Sequence, residues 1–138
     1  MINNIEKKEV GGFIIFKIDN SDGIKILCLF KHNGQIDLPK GRRDNSDQTI
    51  LFTAIRETYE ETNILLDQNE IISHGKQFNH MTFFIAQTNK KPEIKRNPVT
   101  NVYEHRSYAW LSPEDYIANA PKYLIKPVIW AIRKVYKK

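Results

Sequence analysis

Two apolar, β-branched runs stand near the start of the chain, residues 9–17 (EVGGFIIFK) and 24–31 (IKILCLFK). The turn-forming series Asp19-Asn20-Ser21-Asp22-Gly23 separates them, and the pattern predicts a β-hairpin. A loop with His32, Asn33 and Gly34 leads into IDLPKG. From about 45 to 62 the period becomes helical, with Leu51, Ala54, Ile55, Thr58 and Thr62 on one stripe. Asn45 or Ser46 is the expected N-cap, Gln48 completing a capping box, and Asn63 is the expected left-handed stop. Further strands are expected at about 71–75, 80–86 and 102–111. Ser112-Pro113-Glu114-Asp115 opens a short helix, and a last helix is expected from about 126 to 136 with Pro127 in its first turn. Strands interrupted by one central and two late helices predict an α+β or α/β fold, helices packed on a mixed or antiparallel sheet.

The 138 residues suffice for one domain, 1–138, with one core. Hydrophobic residues at 41% and charged residues at 27% match a soluble globular protein and exclude disordered and fibrous classes. The opening MINNIEKKEV has no signal-peptide core, and no apolar run reaches membrane-span length. An intracellular protein is expected, cytoplasmic or else nuclear, with no membrane partner. The one cysteine, Cys28, lies in an apolar strand pattern and reads as a buried, inert thiol. A net charge of +5 favours a polyanionic partner: a polyphosphate, an inositol phosphate or RNA. The basic tail IRKVYKK also has a plainer use, offsetting a helix C-terminal dipole.

The segment IRETYEETN carries the candidate chemistry. On a helix, Glu57, Glu60 and Glu61 stand at i, i+3 and i+4, one face with roughly 5–6 Å between neighbouring Cβ atoms. Such a face repels itself unless a cation joins it, and magnesium takes oxygen ligands. A glutamate-rich helix is more often a solvated face. Here Leu38-Pro39-Lys40-Gly41 lies just upstream, a bend that can aim a carbonyl and an ammonium at one point.

The segment GRRDNSDQTILFTAIRETYEETNI resembles a Nudix box, G-x5-E-x7-R-E-U-x-E-E-x-G-U with U apolar. Gly41 matches the opening glycine, Arg56, Glu57, Glu60 and Glu61 the R-E-x-x-E-E core, and Ile64 the last apolar position. The interval from Gly41 to Arg56 is one residue longer than the family's. The first box glutamate therefore falls on Asp47 counted forward or Gln48 counted back. Asn63 replaces the late glycine, and Thr58 an aliphatic residue.

The resemblance implies an α/β/α sandwich with a mixed sheet and a metal-dependent pyrophosphohydrolase. Its metal would be Mg2+, or else Mn2+, held by Glu57, Glu60 and Glu61 with the Lys40 carbonyl, and by Glu104 from a late strand. Arg56 would orient a carboxylate. Lys40, Gly41, Arg42, Arg43 and His105 would meet substrate phosphate. The string Glu104, His105, Tyr108, Trp110, Leu111 is similar to that of asymmetrical diadenosine tetraphosphate hydrolases. The implied substrate is a dinucleoside polyphosphate such as diadenosine tetraphosphate, or a diphosphoinositol polyphosphate. Removal of RNA 5′ caps and a non-catalytic nucleotide- or protein-binding domain are the competing readings. Phe78, Phe83 and Phe84 are candidates to stack on a base, although strand aromatics more often fill a core.

Overall fold

A computed structural model describes residues 8–19, 21 and 23–137. The hairpin forms as β1 (Val10–Asp19) and β2 (Gly23–Lys31), paired antiparallel. Short strands β3 (Ile36–Asp37) and β4 (Lys40–Arg42) flank the P-K-G turn. Then come α1 (Ile50–Thr62), β5 (Lys76–Phe78), β6 (Met81–Gln87), β7 (His105–Leu111), α2 (Pro113–Asn119) and α3 (Lys122–Tyr136). The sheet runs β3-β2-β1-β6-β5, with β4 paired to β1 and β7 to β2. β1 and β6 run parallel, so the sheet is mixed.

The continuous apolar runs of β1 and β2 have a physical reason: both faces of the sheet are covered. Ile14 and Phe16 point into the core that holds α2 and α3, through Tyr116, Leu124, Val128 and Ala131. Phe13 and Ile15 point to the opposite face, onto Ala54 of α1, Ile64 and Leu66. The result is the three-layer sandwich that the resemblance implied. The α1 side is unusually tight. A Cβ on Gly11 would meet the Ile50 carbonyl at 2.8 Å, so glycine lets the helix backbone lie on the strand.

Four boundaries differ from the sequence expectation. The α1 N-cap is Thr49, whose Oγ1 accepts from Phe52 N at 3.1 Å, not Asn45 or Ser46. Residues 43–48 wrap around Asp47 instead, whose carboxylate accepts from Asp44 N and from the side chains of Arg56 and Thr53. That loop satisfies its polar groups without helix. The stretch 71–75 makes only a bridge, Ile71 with Ala86. Ser73 Oγ takes Ile85 N at 3.2 Å where a ladder carbonyl would, and regular pairing resumes at Lys76. β7 starts at His105 rather than 102, since residues 96–103 close their own turn with a bridge between Arg96 and Tyr103. Finally, α3 begins four residues early, putting Pro127 in its second turn rather than its first.

The α1 stripe is also shifted. Its buried members are Thr53, Ala54, Thr58, Glu61 and Thr62, while Leu51 and Ile55 are half-buried. Thr58 Oγ1 is buried without a hydrogen-bond partner among the described residues, a cost an aliphatic side chain would avoid. Asn63 does adopt the left-handed conformation, at φ 62°. Cys28 is buried, and burial pushes its thiol up to about 12, leaving it inert. Phe83 and Phe84 are buried in the two cores, and Phe78 packs on Trp130. No described helix is long and apolar enough to cross a membrane.

Candidate active site

Arg56 organises the carboxylate helix. Its Nε and Nη2 donate to the two oxygens of Asp47 at 3.0 and 2.8 Å. Nη2 also donates to the Arg42 carbonyl at 3.1 Å, and Nη1 reaches Glu57 at 3.1 Å and Glu60 at 3.2 Å. Between the two alignments of the box, the extra loop residue is absorbed so that Asp47, not Gln48, meets Arg56. Bonding to Arg56 holds the Asp47 carboxyl well below the usual carboxylate range, and buried Thr53 adds an O–H donor.

Glu61 is buried, and Lys40 N donates to its Oε1 at 3.3 Å. Burial, then repulsion from Glu57, Asp37 and Glu104, pushes its carboxyl well up. Glu57 is raised to about 7, by burial first, with Glu60 and Glu104 adding to it and Arg56 opposing. Glu57, Glu61 and Glu104 therefore share one electrostatic neighbourhood. Glu104 is exposed and accepts from Asn97 Nδ2 at 2.7 Å. Among the described residues no three acidic or imidazole side chains converge as a ready-made metal cluster. The single chelating face expected of Glu57, Glu60 and Glu61 is subdivided: Arg56 lies against two of them and Glu61 turns to the P-K-G backbone.

Two cavities flank this helix. One, of about 500 Å³, is lined by His32, Asp37, Lys40, Glu61, Glu104 and His105 among others. The other, of about 340 Å³, is lined by Arg42, Arg43, Arg56 and Glu57 among others. The sequence candidates thus fall into two groups either side of β4. Gly41 is the point of closest approach, since a Cβ there would stand 2.0 Å from the Glu57 carboxyl carbon. A Gly41→Ala protein is expected to fold, because the obstacle is the end of a mobile side chain, but to lose at least tenfold in hydrolysis through displacement of Glu57. Circular dichroism beside a turnover assay reads both outcomes.

The substrate-side candidates differ in their freedom. Arg43 is engaged by Glu9 at 2.9 Å and by the Gln48 carbonyl at 2.9 Å. Arg42 is exposed, with no ion pair among the described residues, and faces its cavity with its side chain available. His105 is buried, its Nε2 3.0 Å from Asp37 Oδ2. Lys40 Nζ lies 2.9 Å from Asp37 Oδ1 and 5.9 Å from the ring centre of Tyr123.

Sequence reasoning missed Asp37. It joins Lys40, His105 and, through its carbonyl, Tyr116 Oη at 3.1 Å. Burial raises its carboxyl, but His105 and Lys40 outweigh burial and hold it at about 2. The signal was available, an acid inside an otherwise apolar IDLP run. His32, whose Nε2 sits 2.6 Å from the Tyr103 carbonyl, was noted only as a loop residue.

An α/β/α sandwich with an R-E-x-x-E-E helix set against a P-K-G turn defines a recognisable class. The family model described as NUDIX domain matches residues 8–131, and the chain belongs to the Nudix hydrolase family. Among solved structures it is similar to a C. elegans Ap4A hydrolase binary complex (18% identity, 96% of this chain and 100% of that one, TM-score 0.74). It is also similar to the NUDIX domain of Shewanella oneidensis NrtR complexed with ADP ribose (14% identity, 96% and 90%, TM-score 0.69). A third is a Nudix hydrolase structure from Listeria monocytogenes (16% identity, 95% of each chain, TM-score 0.70). No curated protein matches the chain. At these identities the likeness establishes the fold.

Proposed function

We propose that the protein is a divalent-cation-dependent pyrophosphohydrolase acting on a phosphoanhydride, with Mg2+ the first candidate ion. The observation that supports it most is electrostatic. Buried Glu61, half-buried Glu57 and exposed Glu104 repel one another, and Arg56 and Lys40 oppose that only in part, since both Glu57 and Glu61 are held above the usual carboxylate range. That donor set fits a hard cation, which oxygen ligands hold best. Glu57, Glu60, Glu61 and Glu104 are the side chains that would hold it, with the Lys40 carbonyl. When bound, the ion would neutralise phosphate charge and make water more acidic.

The chain's own groups do the rest. Lys40 and Arg42, on the two sides of Gly41, would bind phosphate oxygens. Asp37 holds the Lys40 ammonium in one orientation, and Arg56 fixes Glu57 and Glu60. In the reaction a water oxygen bonds to one phosphorus as the bridging P–O bond breaks, the leaving phosphate takes the electron pair, and the water's proton is released to solvent or to the leaving phosphate.

The substrate we favour is a dinucleoside polyphosphate such as diadenosine tetraphosphate. The Tyr123 ring, partly exposed and centred 5.9 Å from the ammonium of cavity-lining Lys40, is near enough to meet a base. A second reading, a diphosphoinositol polyphosphate, is supported by the lining itself. Lys31, His32 and Lys40 are nitrogen groups suited to dense phosphate, set among Asp37, Glu61 and Glu104, and among the described residues no phenylalanine, tyrosine or tryptophan lines that cavity. Phosphate release from a panel with Mg2+ decides between them: diadenosine tetraphosphate, diphosphoinositol phosphates, oxidised nucleoside triphosphates and capped RNA. Tyr123→Ala should raise KM for the dinucleotide alone. No turnover of any member would leave a binding domain as the function.

Stability should report the ion independently of turnover. Raised carboxyl groups favour the fold when protonated. Their contribution is complete below the unfolded glutamate value of about 4.3 and is lost as pH climbs through about 7 for Glu57. Without metal, the melting temperature should therefore fall between pH 4.5 and 7.5. Saturating Mg2+ should raise it by roughly 5 °C or more at pH 7.5 and hardly at all at pH 5. Equal shifts at both pH values would count against carboxylate ligation.

A further inference from the structure

We infer that a groove between residues 72–76 and the C-terminal half of α3 binds a single-stranded nucleic-acid segment, its phosphates on Lys76, Arg133, Lys134 and Lys137 and one base against Trp130. Two adjoining cavities of about 520 and about 240 Å³ form the groove and share Lys76, Trp130 and Lys134. It has no lining residue in common with either cavity beside α1. Tyr123, at the other end of α3, is the residue near Lys40. Lys134 lies eleven residues further on, roughly 16 Å along the helix axis.

The groove's charge is one-sided. Among the described residues no carboxylate lines either cavity. Arg133, Lys134 and Lys137 make no ion pair among the described residues, and Lys76 lies only over the Phe78 ring, at 5.8 Å. Like charges at i and i+4, as in Arg133 and Lys137, disfavour a helix. The helix dipole offsets part of that cost, since Arg133 and Lys134 lie in the last turn. The dipole does not account for Lys76, which comes from the edge strand β5, nor for the aromatic floor. Trp130 leans on Phe78 with ring centres 5.8 Å apart at 59°, half-buried and braced from one side. A row of cations beside a braced indole is the pairing that single strands use, backbone on charge and base on ring. The larger cavity has room for a ligand fragment of about nucleotide size, given ordinary ligand pockets of roughly 300–1,000 Å³, and the smaller one extends it.

The test is fluorescence anisotropy with end-labelled ten-nucleotide strands of uridine and of thymidine, on the full chain in EDTA so that hydrolysis is silent. With three or four phosphates engaged, affinity should fall roughly 20–50-fold between 50 and 200 mM salt. The pair Lys134→Glu with Lys137→Glu should weaken binding at least tenfold while turnover on the preferred phosphoanhydride persists, which also shows that the variant folds. Trp130→Leu should weaken both strands at least fivefold but leave an abasic strand of equal length unchanged. Tighter binding of the uridine strand would assign the ligand as RNA, and equal binding would assign either nucleic acid. Absence of binding at 100 µM protein in 50 mM salt overturns the inference. So does indifference to the charge reversals, or an equal loss for the abasic strand with Trp130→Leu.

Discussion

Glu61→Gln should lower kcat on the preferred phosphoanhydride by at least a hundredfold, with a similar or somewhat smaller loss for Glu60→Gln. Losing an acid–base or metal-holding group ordinarily costs about 10² to 10⁴ in rate. Glu61 combines burial, a contact to the Lys40 amide and repulsion from three other acids. Glutamine keeps its shape and its hydrogen bond but removes the charge. It also removes that repulsion, so the metal-free Glu61→Gln protein should melt higher than the parent at pH 7.5 while hydrolysing less. That opposition separates a functional carboxylate from a structural one. Turnover surviving both substitutions would sink the assigned chemistry, and a variant that loses both stability and activity would make Glu61 a structural residue.

The largest stability effect is expected at Asp47. Asp47→Ala leaves Arg56, a largely buried guanidinium, without the two bonds that fix it. It also frees Thr53 Oγ1 and the Asp44 amide. Removing one member of a buried pair costs about 3–5 kcal/mol, because the other charge stays behind. A loss of about 3 kcal/mol, or roughly 10 °C in melting temperature, is expected. Urea unfolding measures it, and a change below about 1 kcal/mol would mean that Arg56 finds another partner. Acid titration gives a second check. Asp37 and Asp47 are both held low, so the stability they bring is present above the unfolded value of about 3.9 and lost as pH falls through the folded one, about 2 for Asp37. The Asp47→Ala protein should lose less on acidification than the parent.

The local code was legible where one residue type had one physical use. Ser112 and Pro113 opened α2, Asn63 turned left-handed, and the apolar runs became β1 and β2. Boundaries failed where side chains outcompeted backbone periodicity. Asp47 tied residues 43–48 into a loop whose last four residues read as helix, and Ser73 broke a strand by taking a ladder amide.

The residues alone determined which segment carries the acids, that a P-K-G bend precedes it, and that the chain has a Nudix box. Those features are set by spacings of three and four on a helix and by the conformational limits of proline and glycine. Only the tertiary structure decided which acid serves Arg56, since a one-residue surplus in a loop can be absorbed at either end. It alone brought Asp37 to His105, 68 positions apart in the chain, and assembled Trp130 with the cations of β5 and α3. Such contacts depend on how layers stack around a shared core, and no local pattern in the chain encodes that stacking.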